Sequence, residues 1–388
     1  MLKQVIILSV ILSISAVVQS SQHIETRRNI LESYMNGSPK ELFKVFHFVF
    51  EKPYSLNSET ALEKYKVFKK NLNFIKEHNA KNLSWTLEVN FFADMTLEQT
   101  KSYMGVLQVN ENNTKNKNEL ERLFEGKNFE IFDELVEKSK NIDLPKRKLQ
   151  SSANYFDLFA DKDDNDDPVP PQISRENQIY EAVNHGEFLN PPRNQGSCGS
   201  CWAFSALTAI EGNINKKNKQ TNNVYLSAQN VLDCNNSRYG CNGGWMNEAI
   251  KHVAYNGIST DSDYPYKEIQ NTSCRSDAPK VDVKFNSNAP IKGCAWLSWF
   301  ENFSPCTKES FHALVKEGPV SALVNVDNNF IFYKSGIIEG YKIPECAYYN
   351  HAIVVYGWSH HYENYQVREY LNIRNSWGAD WGDKGDIK

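Results

Sequence analysis

Two cysteines stand three positions apart in the segment NQGSCGSCWAFS, residues 194–205. Such a pair could be a redox couple, two metal ligands, or two residues with separate functions. A thioredoxin-like couple carries its aromatic residue before the first cysteine, whereas Trp202 follows Cys201 here. A structural zinc site needs a second C-x-x-C or paired histidines, and the next cysteines, Cys234 and Cys241, are seven apart. We therefore favour two separate functions.

Cys201 has the sequence surroundings of a nucleophile. Small and apolar residues after it predict a long helix, and a thiolate is favoured at the positive end of a helix dipole. A cysteine nucleophile also needs a base, an orienting group and an oxyanion donor, which can be distant in sequence. His351 precedes a buried strand, Asn375 ends another, and Gln195 lies six residues before Cys201. Together they could supply these three groups.

The motifs around these residues resemble the papain-like cysteine proteases. CGSCWAF, GCNGG, NHA and NSWG follow one another in that order over about residues 190–388. The resemblance implies that Cys201 is the nucleophile, that His351 is its general base and that Asn375 orients the imidazole. It also implies an oxyanion hole made of the Gln195 side chain and the backbone N–H of Cys201.

The same resemblance assigns residues to substrate binding and to disulfides. It implies backbone hydrogen bonds to the substrate from a glycine pair, an apolar pocket for the side chain preceding the cleaved residue, and a tryptophan that shields the His–Asn hydrogen bond from water. These residues are Gly243, Gly244, Trp245, Met246, Ala352 and Trp377. By resemblance Cys198 pairs with Cys241, and Cys234 pairs with Cys274. The pairing of Cys294, Cys306 and Cys346 stays open.

The C-terminal end of the sequence raises an alternative. The last residues, WGDKGDIK, lie within a strand that continues in the family, so we expect the C-terminal strand to be missing. A catalytically inactive, truncated homologue that acts as a binding or inhibitory protein is therefore the second hypothesis. An acyltransferase with the same Cys–His–Asn chemistry is the third.

The N-terminal half resembles the inhibitory propeptide of the cathepsin L-like branch. Apolar residues at three- and four-residue spacing predict two helices separated by Pro53, then a short β-like piece and a helical segment from Leu97 to Met104. Residues that fit the propeptide motifs are Phe68, Asn71, Ile75, Asn79, Asn90, Phe92 and Asp94. Glu88 stands where the family has glycine. The resemblance implies an extended segment that crosses the cleft in the reverse of the productive direction.

Composition and the N-terminus limit the location and the partners. The net charge of -4 gives no reason to expect a nucleic-acid partner. Residues 1–20 have the build of a secretory signal peptide, and no later stretch is apolar enough to span a membrane. All eight cysteines lie at or beyond Cys198, and six N-x-S/T sequons are present. These features favour the secretory pathway, with the lysosome, the vacuole or the extracellular space as destination.

The predicted architecture is an α+β, papain-like two-lobe fold, with a helical lobe against a β-barrel-like lobe, preceded by a small α-helical propeptide domain. We expect a signal peptide over 1–20, a propeptide over 21–167 and a peptidase domain over 168–388. Within the propeptide, the inhibitory domain spans about 41–104 and an acidic linker spans 105–167. We expect a monomer that takes protein or peptide substrates, is inhibited by its own propeptide and uses no metal or organic cofactor.

Overall fold

The computed structural model describes residues 24–106, 182–219, 225–235, 240–270, 273–281, 307–339, 349–363 and 366–388. The predicted signal peptide, the linker beyond Val106, and the three cysteines of open pairing lie outside these residues. Within the described part, no helix is both long enough and apolar enough to cross a bilayer.

The described residues contain helices in both halves of the chain and strands mainly in the C-terminal part. The helices are α1 (24–34), α2 (Pro39–Val49), α3 (Glu59–Asn79), α4 (Leu97–Thr100), α5 (Cys201–Asn218), α6 (Ala228–Cys234), α7 (Met246–Asn256), α8 (Lys308–Glu317) and α9 (Asn328–Ile331). The strands are β1 (Trp85–Leu87), β2 (Val183–Asn184), β3 (Val320–Val324), β4 (Tyr333–Gly336), β5 (His351–Glu363), β6 (Gln366–Arg374) and β7 (Asp386–Ile387).

The two predicted leader helices are confirmed as α2 and α3. Ser38 caps α2 in a capping box with Glu41, and Ser58 caps α3, so both helix starts satisfy exposed backbone N–H groups. Not every apolar residue of α3 is buried, because the side chain of Leu62 is 55% exposed. The buried face of α3 instead passes through residues such as Phe68.

The leader docks onto the β-rich lobe through one continuous apolar core. Phe92 packs on Trp377 with ring centroids 4.9 Å apart, and Phe74 contacts Phe332 at 6.3 Å. Strand β1 extends this contact because it pairs antiparallel with β4. Burial of aromatic surface is the main favourable term in such docking, since each large ring removes 150–250 Å² from water.

The helical lobe is built around α5, which is buried over most of its surface. Trp202 and Leu207 of α5 are fully buried, and α6 and α7 pack beside them. A disulfide between Cys198 and Cys241 ties the residues before α5 to the segment before α7. A second disulfide joins Cys234 to Cys274.

The β-rich lobe is a five-stranded sheet in which β5 is central. The order is β2-β5-β6-β7, and β3 pairs antiparallel with the first residues of β5. His351 is the first residue of β5, and the backbone N–H of the next residue, Ala352, donates to the Cys201 sulfur at the start of α5. His360 and His361 lie within β5, where they are paired with β6.

The departure from the propeptide motif at Glu88 has a structural reason. Helix α1 lies beside this residue, and Arg28 donates a hydrogen bond to the Glu88 carboxylate at 3.0 Å. Arg28 also donates to the carbonyl oxygens of Asp380 and Gly382, so one guanidinium joins the leader to the β-rich lobe. Burial raises the pKa of Glu88 to about 7, although the positive charge of Arg28 opposes the shift.

The raised pKa predicts how Glu88 affects stability across the pH range. Unfolded Glu88 loses its proton near pH 4.5, whereas folded Glu88 keeps it to about pH 7, so wild-type stability from this group falls as pH rises between the two values. We expect Glu88→Gln to remove this pH-dependent loss of stability, because glutamine does not titrate. The thermal midpoint of the variant, relative to its parent, should be higher at pH 8 than at pH 5.

Both proteins should carry Cys201→Ala, so that self-cleavage at pH 5 does not complicate the measurement. Glu63→Gln is the matched control, because Glu63 is 64% exposed and forms only an i,i+3 pair with Lys66. A midpoint difference that is the same at the two pH values would contradict the assignment.

Candidate active site

Cys201 is the first residue of α5 and is fully buried. Its sulfur forms no disulfide, and two backbone N–H groups donate to it: Gly105 of the leader at 3.1 Å and Ala352 of β5 at 3.4 Å. The sulfur atom therefore lies at a junction of three parts of the chain. These are the helical lobe, the β-rich lobe and the leader.

The expectation of a lowered thiol pKa was wrong for this closed state. Burial raises the pKa of the Cys201 thiol to about 11, although the backbone N–H donors around the sulfur favour the thiolate. Desolvation outweighs them because a buried anion loses its hydration. Cys201 is therefore a neutral thiol at neutral pH while the leader occupies the cleft.

His351 is held by an amide and covered by an aromatic ring. Its Nε2 is 2.7 Å from Asn375 Oδ1, and Trp377 packs on the imidazole with ring centroids 4.8 Å apart. Burial lowers the pKa of His351 to about 4, and the hydrogen bond that the imidazole donates to Asn375 Oδ1 opposes this shift. The other ring nitrogen, Nδ1, is buried and has no hydrogen-bond partner among the described residues. The hydrogen bond at Nε2 thus fixes the orientation of the neutral imidazole, and Nδ1 is left to accept a proton.

The side-chain amide of Gln195 is oriented by a residue that the sequence did not indicate. Ser376 Oγ donates to Gln195 Oε1 at 2.6 Å, so the Nε2 end faces the cleft. Nε2 donates to the carbonyl oxygens of Tyr103 and Cys198, at 3.0 and 2.9 Å. The Tyr103 carbonyl of the leader therefore accepts a hydrogen bond from the same amide group that an oxyanion would need as a donor. The adjacency of Ser376 to Asn375 is the only signal that could have identified it.

The leader passes through the cleft as an extended segment. Gly244 N donates to the Gly105 carbonyl at 2.9 Å, and Val106 forms a parallel bridge with Gly244. A Cβ atom at Gly105 would lie 1.8 Å from the Gly199 carbonyl oxygen, so no other residue fits there without a shift of the backbone. Gly243, at φ 116°, sits in a conformation that favours glycine.

An apolar pocket receives the Val106 side chain. Val106, Cys201 and Ala352 form one buried cluster, and the residues packed against it are Trp245, Met246 and Leu323. The sequence predicts that Trp245, Met246 and Ala352 surround such a pocket, and the structure brings these three residues together. The sequence did not indicate Leu323, which reaches the cluster because β3 pairs Leu323 directly with Ala352.

Comparison with family models gives a match over most of the described chain. Residues 178–388 match the papain family cysteine protease model, and residues 43–100 match the cathepsin propeptide inhibitor domain (I29). The chain belongs to the papain family. It is a cysteine-type endopeptidase synthesised with an inhibitory propeptide, and the leader described above is that propeptide.

Individual relatives agree with this family membership. Fruit bromelain of Ananas comosus is 30% identical over 334 residues, which is 86% of this chain and 75% of the relative. Caricain of Carica papaya is 31% identical over 84% of this chain and 74% of its own length. Among solved structures, procathepsin L2 from Tenebrio molitor larval midgut has a TM-score of 0.60 at 24% identity, covering 90% of this chain and 93% of that one. The two-lobe fold with a propeptide is thereby confirmed.

Two residues of the inhibitory contact lie beyond the segment that the sequence assigned to inhibition. Gly105 and Val106 were assigned to the acidic linker, yet both lie in the cleft of the papain-family zymogen. Residue type alone did not reveal them, because a glycine and a valine after Met104 resemble the start of any linker. As for metals, the described residues hold no cluster of histidine, cysteine or carboxylate side chains suited to a metal ion.

The close approach of Gly105 predicts that Gly105→Ala weakens the seal over the thiol. The added Cβ must displace backbone, at a cost of about 1–3 kcal/mol for overpacking. We expect alkylation of Cys201 in the intact zymogen to become about tenfold faster or more, as measured by peptide mapping after iodoacetamide treatment. Ser102→Ala, an exposed change three residues away, is the control. Equal alkylation rates in the two variants would argue against the seal.

Proposed function

We propose that this papain-family protease hydrolyses peptide bonds through Cys201, His351 and Asn375, with Gln195 as oxyanion donor. The observation that carries the proposal is the 2.7 Å contact between His351 and Asn375 beside a free thiol at a helix start. His351 Nδ1 has no partner among the described residues, so it can accept the thiol proton once the leader leaves.

The first half of the proposed reaction forms an acyl-enzyme. Removal of the leader hydrates the cleft, which lifts the desolvation that keeps Cys201 neutral, and the thiol proton passes to His351. The thiolate attacks the carbonyl carbon of the scissile bond, and the resulting oxyanion accepts hydrogen bonds from Gln195 Nε2 and the Cys201 backbone N–H. His351 then protonates the leaving amine as the C–N bond breaks.

The second half regenerates the thiol. His351 takes a proton from a water molecule, the water oxygen attacks the thioester carbonyl, and the C–S bond breaks to release the acid product. Asn375 keeps the imidazole in the orientation that both halves of the reaction need. Trp377 excludes water from the hydrogen bond between His351 and Asn375. A hydrophobic or aromatic side chain preceding the cleaved residue would fill the pocket that Val106 occupies.

Acid would trigger conversion of the zymogen in the secretory pathway or in a lysosome or vacuole. Carboxylates pair with cations across the interface between α1 and the β-rich lobe: Asp380 with Arg27, and Glu32 with Lys334. Protonation of these carboxylates removes the attraction. Glu88 does not contribute to this loosening, because its raised pKa favours the folded leader as the pH falls towards 4.5. The cleavage itself would fall between about Ser151 and Gln172.

Acid treatment of the purified zymogen should therefore yield a shorter protein whose Cys201 reacts with a cysteine-directed epoxide. N-terminal sequencing and peptide mapping are the measurements. A new N-terminus outside residues 151–172 would refute the processing site. An unlabelled Cys201 would refute the nucleophile, and labelling with amide transfer in place of hydrolysis would indicate an acyltransferase. The Cys201→Ala protein, matured in trans, is the control for labelling at other cysteines.

Gln195→Ala should lower kcat of the matured enzyme by about 10²–10³-fold, because one oxyanion donor is lost. Ser376→Ala should cause a smaller loss, since it frees the amide to rotate but leaves the donor in place. Both kcat values are to be measured on one fluorogenic peptide, with the thermal midpoint as a check on folding. An undiminished kcat in Gln195→Ala would exclude Gln195 from the oxyanion hole.

A further inference from the structure

Tyr266 joins the loop that carries Gln195 to the start of α5. Its hydroxyl donates a hydrogen bond to the Gln195 carbonyl oxygen at 2.7 Å, and Ser200 Oγ lies 2.7 Å from the same hydroxyl. A carbonyl oxygen can only accept and the phenol has one proton, so Ser200 must be the donor to Tyr266. The three residues therefore form one chain of hydrogen bonds, from Ser200 through Tyr266 to Gln195.

The Gln195 end of this chain completes the hydrogen bonding of that residue. Gln195 N donates to the Ser376 carbonyl at 2.8 Å, and Ser376 Oγ donates to Gln195 Oε1. Tyr266 accounts for the remaining acceptor, which is the backbone carbonyl. Because Gln195 is fully buried, unpaired polar groups would be costly there. Two neighbours thus fix three of its four polar groups, and the fourth, Nε2, is the amide that faces the cleft.

The Ser200 end accounts for a helix cap that departs from the usual pattern. Ser200 is the N-cap residue of α5, yet its side chain makes no capping hydrogen bond. A serine at this position normally accepts a hydrogen bond from a backbone N–H of the first turn. Here the hydroxyl donates to Tyr266 instead. The peptide bond that follows Ser200 carries the N–H of Cys201, which is the second oxyanion donor of the proposed reaction.

The Tyr266 ring is held in place by α5 itself. Phe204, three residues after Cys201, meets the ring edge-on, with centroids 4.9 Å apart and an interplanar angle of 88°. Burial raises the pKa of Tyr266, so the phenol keeps the proton that it donates. All of these residues follow the proposed cleavage window of 151–172, so they stay on the same chain after the leader has been removed.

We propose that Tyr266 is a positioning residue that fixes the two donors of the oxyanion hole relative to each other. One hydrogen bond of its hydroxyl reaches the residue whose side chain supplies the first donor, and the other reaches the residue that precedes the second. Since an oxyanion must accept from both donors at once, a fixed separation stabilises the transition state more than the substrate. The inference rests on the proposed function, because the oxyanion hole is part of that proposal.

The test is Tyr266→Phe, which removes the hydroxyl and keeps the ring on Phe204. In the acid-matured enzyme, with active sites counted by epoxide labelling of Cys201, we expect kcat on one fluorogenic peptide to fall about three- to tenfold. KM should change little, because the lost hydrogen bond acts mainly in the transition state. In a Gln195→Ala background the same substitution should lower kcat by less than about twofold, since the donor that Tyr266 positions is already absent. Alkylation of Cys201 by iodoacetamide should keep its rate, because that displacement forms no oxyanion.

Tyr264→Phe is the matched control, because it removes a phenol hydroxyl from the same segment. That hydroxyl donates to Asp233 and accepts from Arg275 N, at 2.9 and 3.3 Å. This variant should keep the wild-type kcat even where its thermal midpoint falls.

Three outcomes would overturn the positioning role and leave the proposed active site standing: an unchanged kcat in Tyr266→Phe, an equal loss of kcat in Tyr264→Phe, or the full loss again in the Gln195→Ala background. An alkylation rate that falls as much as kcat would also overturn it, since the thiol and not the oxyanion would then be affected. If Gln195→Ala alone leaves kcat undiminished, the oxyanion assignment and this inference fail together.

Discussion

Every function described above depends on how α5 lies against β5, because the thiol and the imidazole belong to different lobes. A buried hydrogen bond holds these two elements together: Ser205 Oγ, one turn after Cys201, donates to the Ile353 carbonyl at 2.7 Å. Ile353 lies two residues after His351 on the same strand. Ser321 of β3 completes the contact by donating its proton to Ser205.

The closed cleft protects the thiol by two physical means at once. The leader excludes water, so that Cys201 stays neutral and His351 stays unprotonated. Carbonyl groups of the leader also accept hydrogen bonds from the Gln195 side-chain amide and from the Gly244 backbone N–H. Val106 of the leader pairs in parallel with Gly244. The direction of the leader relative to a substrate stays a prediction from the family resemblance. The leader therefore satisfies hydrogen-bonding groups of the cleft that would otherwise lose their water partners on closure.

Much of the site could be predicted from sequence, since motifs around Cys201, His351 and Asn375 are local strings of residues. The helix starts at Ser38 and Ser58 could be predicted for the same reason. What could not be predicted depends on contacts between distant segments. Leu323 reaches the pocket through strand pairing, and the partner of Glu88 lies on a helix sixty residues earlier. The pKa of Cys201 was mispredicted because helix position is readable from sequence, whereas burial by the leader is not.

The apolar core shared by the leader and the β-rich lobe has a consequence for biosynthesis. Phe74 and Phe92 emerge from the ribosome well before their partners Phe332 and Trp377, which lie in the C-terminal lobe. Contacts between such distant segments form slowly, because a long loop must close before they contribute. These aromatic rings of the leader therefore lack their partners until the β-rich lobe has been made. Docking of the leader therefore requires that the strands of the β-rich lobe have been made, and it couples synthesis of that lobe to silencing of the thiol.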